Sequence, residues 1–255
     1  MSSGTGRRGV VALGVVVVVI GGLALGARTL WHAAQTAVTP SGCTLGGYEE
    51  NLSRSENAAE MASVVIKRGL PERAAVLVIA AALQESKLDN IPSGEGDRDS
   101  VGILQQRPSQ GWGTVANLSN VRYATGKFLD ALVKVDNWQH DSLATVIQKV
   151  QISADGSAYA KHEPEAQDIA DALTGKVATA LTSQLPVNTP TTTARTLSVS
   201  GASWATAAWL VTHADRYGID TVDYAGKRWQ RSKGWHDRAA SSSGAVLATM
   251  ATLAS

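Results

Sequence analysis

The chain has 255 residues, with 23 Lys and Arg against 22 Asp and Glu, so its formal net charge is +1. That balance gives no electrostatic footing for nucleic acid or an acidic partner. A single cysteine, Cys43, excludes an internal disulfide framework and any multi-cysteine metal site.

In chain order, Arg7-Arg8 precede Val10 to Ala27, a stretch of 18 residues without a charge. As a helix it spans about 27 Å, close to the hydrocarbon core of a bilayer. This predicts a single-pass transmembrane anchor over 10–27, with residues 1–9 cytoplasmic and the bulk of the chain extracytoplasmic. Cleavage near Ala33–Ala37, giving a secreted protein, is the alternative. Residues 28–52, with Pro40, Gly42, Gly46 and Gly47, read as a stalk.

Ser53 and Glu56 have capping-box spacing ahead of a helix over about 54–68. Gly69 closes it, and Pro71 suits the first turn of the next. From Ala74 to Leu83 every residue is apolar, which predicts a helix buried nearly all round. Further helices are expected over Asn120–Val135, Leu143–Ile152 and Glu163–Leu185. Pro186 to Thr193 is a Thr/Pro-rich linker, with the whole connection placed at 186–197. Beyond it, Trp204, Ala207, Ala208, Val211 and Ala214 mark a helix face. Thr221–Tyr224 and Lys227–Trp229 flank Ala225-Gly226 as a hairpin, and Ala245–Leu253 reads as a third strand. The expected fold is mainly α: a helical domain over 53–185 and a small α+β module of unassigned role over 198–255.

Glu85 stands at the end of the apolar helix, in Gln84-Glu85-Ser86-Lys87-Leu88, shortly before a loop rich in Gly and Asp. A carboxyl in poor solvent has a raised pKa and can serve as a general acid; a surface Glu at a helix end is the plainer alternative. Asp97 and Asp99, 12 and 14 residues later, read either as a second carboxylate or as exposed turn residues. Trp112, between Gly111 and Gly113, reads as a platform for a sugar ring or as a loop anchor. Seven of the thirteen aromatic residues are Trp, a bias that suits stacking on flat ligands as well as a core. His140 and His162 have no partners at ligand spacing. Asp97-Arg98-Asp99 with Gly102 starts like a calcium loop, but its twelfth position is Pro108, so no metal is expected.

Glu85-Ser86 followed by Gly102-Ile103-Leu104-Gln105 resembles the paired signatures of lysozyme-like lytic transglycosylases. Gly96-Asp97-Arg98 is similar to the corresponding stretch of goose-type lysozyme. The longer string from Leu83 to Gly113 resembles exported actinobacterial proteins of that superfamily, as do Val150–Ser153, Ala158-Tyr159-Ala160 and His162-Glu163. The likeness covers roughly residues 50–175. It implies a lysozyme-like helical domain in which Glu85 is the acid and base for cleaving a β-1,4 bond between N-acetylmuramic acid and N-acetylglucosamine. Ser86, Asp97, Asp99, Gln105, Gln106, Trp112 and Tyr159 then contact substrate, with Tyr159 touching glycan or orienting Glu85. Core packing is the alternative for Tyr159. The Ala-x-Asn-type motif of transglycosylases has no counterpart here, since only Tyr159 matches within 151–159.

The partners this implies are peptidoglycan strands and the membrane through 10–27, with no cofactor. A second reading is a non-catalytic glycan-binding or scaffold module of an envelope secretion or conjugation apparatus, its C-terminal part recruiting a protein.

Overall fold

Gly46 and Gly47 both have positive φ, 61° and 96°, the backbone that a two-residue hairpin turn requires. They join β1 (Gly42–Leu45) to β2 (Tyr48–Asn51), with Leu45 opposite Tyr48. These belong to a computed structural model that describes residues 42–152, 156–177, 180–185, 194–238 and 244–251. The expected stalk is therefore corrected over 42–52, a β-hairpin followed by the first residue of a helix; its residues 28–41, and the anchor expected at 10–27, lie outside the described residues. Among the described residues no helix is long and apolar enough to cross a membrane.

α1 spans Leu52–Lys67 and is capped by Asn51, whose Oδ1 accepts from the Arg54 amide at 2.9 Å. The expected cap at Ser53 is thus displaced two residues toward the N-terminus. α2 (Glu72–Ser86) follows, with every residue from Ala74 to Leu83 buried. It ends at Lys87 in the left-handed conformation, φ 56°. α3 (Val115–Leu118) and α4 (Val121–Leu132) are capped by the side chains of Thr114 and Asn120. α5 (Leu143–Gln151) leads, after a gap in the described residues, to a 3₁₀ segment at Gly156–His162 and then to α6 (Glu163–Thr174). The helix expected to run on to Leu185 stops at Gly175, φ 85°. Leu181–Gln184 is instead β3, paired antiparallel to β1 to give the sheet order β2-β1-β3.

The C-terminal segment holds β4 (Ala194–Val199), α7 (Trp204–Thr212), α8 (Ala214–Tyr217), β5 (Ile219–Tyr224), β6 (Lys227–Gln230), β7 (Gly234–Asp237) and β8 (Val246–Ala251). Its antiparallel sheet has the order β4-β8-β5-β6-β7. The expected hairpin forms through Ala225-Gly226, and β8 lies within the expected third strand.

The mainly α expectation is overturned. The described residues are about 48% helix and 20% strand, with two antiparallel sheets of three and five strands, an α+β arrangement. The reason is physical. Strands of four residues carry too little alternation to read, and β1 pairs with β3 across the whole helical segment that separates them in the chain. One hydrophobic core runs from Leu45 through α2 to Ala207, Val222 and Trp229, so the two segments expected as separate domains share it. α7 packs on α1 and α6, and α2 is enclosed by α1, α4, α5, α6 and the 3₁₀ segment.

Candidate active site at the end of α2

The last turn of α2 leaves the core with Glu85 half-buried. Burial raises the Glu85 pKa above the ordinary carboxyl value, because the charged form loses hydration; a hydrogen bond from Tyr159 opposes that in part. The Tyr159 Oη donates to Glu85 Oε1 at 2.5 Å, and the Tyr159 ring is buried. Tyr159 and His162 sit three residues apart on the 3₁₀ segment, a spacing that puts them on one face. His162 Nε2 lies 3.1 Å from Gln84 Oε1, so this face holds two consecutive residues of α2. Burial, with the nearby Lys161 charge, lowers the His162 pKa and so favours the neutral ring.

Ser86 fixes the loop to the helix. Its Oγ donates to Ile103 O at 2.7 Å and also lies 3.1 Å from Ala82 O. Ser86 is buried, so the residue expected to touch substrate instead carries the site's frame. Gln106 is also buried; it closes a bridge with Val101 and its amide reaches Ala124 O at 3.5 Å. Gln105 is half-buried. Its backbone is left-handed, φ 44°, an unfavourable state for a residue with a Cβ. Its amide donates to Gly102 O at 2.8 Å. Gly96 lies against it closely enough that an added Cβ there would collide with Gln105 Oε1.

The two acidic candidates separate. Asp97 has its side chain 89% exposed. Asp99 is bound within its own loop: Arg107 Nε donates to Oδ1 at 2.7 Å and the Ser109 amide to Oδ2 at 2.8 Å. Those bonds hold its carboxyl well below the usual range. Trp112 is half-buried and packs against the core, and the Tyr123 ring lies where a Cβ on Gly113 would point.

Gln84, Gln151 and His162 were not expected at the site. Gln151 Nε2 donates to Leu104 O at 3.0 Å, which ties α5 to the loop behind Glu85. All three lie within the strings that carry the resemblance, and the i, i+3 spacing of Tyr159 and His162 has meaning only once the segment is known to be 3₁₀. Among the described residues no group of three His, Cys, Asp or Glu is placed to hold a metal ion.

Two grooves, of about 700 Å³ and 510 Å³, lie along α1 beside α4 and α7. Neither is lined by Glu85, Tyr159 or Gln105. Compared with protein-family models and with curated protein sequences, the chain matches none.

Proposed function

We propose that this protein cleaves peptidoglycan glycan strands at the β-1,4 bond, with Glu85 as the sole acid and base. The observation that carries the reading is the pairing of a half-buried carboxyl of raised pKa with the hydroxyl of a buried Tyr159. A carboxyl that burial makes a weaker acid than usual holds its proton more firmly and delivers it to the leaving oxygen as the C1–O bond breaks. The Tyr159 hydroxyl then stabilises the carboxylate so formed. Glu85 recovers a proton from the muramic 6-hydroxyl as that oxygen closes on C1. The products are a new chain end and a 1,6-anhydro ring, and no water enters.

The fate of the Asp pair favours this lytic mode over hydrolysis. A hydrolase of the inverting type needs a second carboxylate to activate water. Asp99 is held by Arg107 and Ser109, and Asp97 is spread into solvent, so Glu85 is left to act alone. The uncharged stretch at 10–27 fits the reading as a leader or anchor that brings the enzyme to the wall.

The test is incubation of the full chain with purified peptidoglycan and mass spectrometry of what is released. Anhydro-muropeptides that disappear with Glu85→Gln are expected. Products with free reducing ends overturn the lytic mode, and retention on the glycan without release overturns the enzyme reading in favour of a binding module.

A further inference from the structure

We propose that the polar groove between α1, the start of α4 and the α7–α8 corner is a second saccharide-binding site. This goes beyond the Glu85 reading and does not depend on it. The groove has a volume of about 510 Å³ and draws on segments far apart in the chain.

One wall is aromatic. The Trp209 ring stacks on His213 with centroids 3.9 Å apart and planes 18° apart. Tyr217 continues the stack, 5.8 Å from Trp209 and inclined by 29°. Tyr217 is 47% exposed. A flat ring already held in an ordered stack offers the C–H face of a pyranose a surface at little cost in side-chain entropy.

The charges in the groove cancel in pairs, and this selects the ligand. Glu60 pairs with Arg122 and accepts from Trp209 Nε1 at 2.8 Å. Glu56 pairs with Arg216 at 3.1 Å. A phosphate or a cation meets no unmatched opposite charge here. Hydroxyl groups, each a donor and an acceptor, can bond to carboxylate oxygens and guanidinium N–H alike.

The amides lining the groove add to this and are already fixed. Asn57 donates to Leu88 O at 2.8 Å, which leaves its Oδ1 as an acceptor, while Asn90 is held by its bond to Ser119 O at 2.7 Å with its Oδ1 toward Gly102. Asn120 accepts from the Tyr123 amide through Oδ1 at 3.1 Å, so its NH₂ remains a donor. Groups held in place before binding lose little freedom when a ligand arrives. Arg122 and Trp209 also line the neighbouring groove of about 700 Å³, so an oligosaccharide has somewhere to continue.

The experiment is calorimetric titration of tetra-N-acetylchitotetraose into the full chain carrying Glu85→Gln, which prevents turnover. Binding is expected at a site that Tyr217→Ala weakens on the order of tenfold and Tyr217→Phe preserves, since the ring and not the hydroxyl does the stacking. Tyr217 is exposed, and equal melting temperatures across the variants show that the fold is kept. A single Tyr217-dependent site, with no other, keeps this proposal and counts against the Glu85 reading. A single site indifferent to Tyr217 overturns this proposal and leaves the Glu85 reading standing. Absence of binding, or Tyr217-dependent binding of inorganic phosphate or D-alanyl-D-alanine in place of the sugar, also overturns it.

Discussion

Two opposing influences meet on Glu85. Burial favours the protonated carboxyl, and the Tyr159 hydroxyl favours the carboxylate. Removing the hydroxyl leaves burial unopposed, so Tyr159→Phe moves the basic limb of the pH–activity profile to higher pH. A merely structural loss lowers the rate without moving that limb. Glu85→Gln removes the proton itself and lowers cleavage by about 10²–10⁴-fold. The same burial bears on stability. With the folded pKa raised, the favourable contribution is present below the ordinary carboxyl value and lost as pH rises through the folded one. Glu85→Gln is therefore expected to melt at a higher temperature than the parent at pH 7, with the gap closing near pH 4. His213 behaves in the opposite sense. Burial pushes its pKa down to about 4, with Arg216 and Arg122 adding to the effect and its bond to Trp209 O opposing it. The stability tied to its neutral form is present above pH 6.5 and is lost as pH falls toward 4, up to about 3 kcal/mol. Urea midpoints should drop across that window, and the ring should titrate near pH 4 by NMR; a midpoint near 6.5 contradicts this.

One hydroxyl bonds the end of α2 to the loop that follows it. Ser86→Ala leaves Ile103 O, inside the protein, without that donor, which costs about 1–2 kcal/mol. Chemical denaturation measures the loss, and unchanged stability would show that Ser86 does not frame the site. How far such elements can be read from the chain depends on where their partners lie. α2 was legible because an unbroken apolar run between a Gly-Pro boundary and a polar end has one favourable solution. The β5–β6 hairpin was legible because its turn residues and both strands are contiguous. The three-stranded sheet was not, since Cys43 meets Ser183 across 140 positions and a four-residue strand shows no clear period. Glu85 stood out at the end of an apolar run and Tyr159 through a resemblance, and neither signal says that the two side chains meet. The two readings of Asp99 stayed open in the sequence because composition cannot say that a loop carboxylate will be taken by its own neighbours, here Arg107 and the Ser109 amide.

The Thr/Pro-rich stretch suggests two bodies on a string, yet the core passes without a break from the helices to the five-stranded sheet. Residues Ser41–Ser255 form one compact unit. Gly175 is one of the places where the halves press together. Its φ is 85°, and a Cβ added there collides with the Trp204 side chain. Trp204 in turn packs edge-on to Tyr224 at 5.1 Å and to Trp235 at 5.4 Å, so the displacement reaches the sheet. Gly175→Ala is expected to destabilise the protein by about 2–4 kcal/mol, the sum of a strained backbone and an overpacked contact. Because one core serves both halves, the parent and this variant should each unfold in a single transition. The helical signal in the far ultraviolet and the aromatic signal in the near ultraviolet should then be lost at the same temperature. Two separated transitions, with the aromatic signal moving alone in Gly175→Ala, would mean that the halves fold independently and that their contact contributes little.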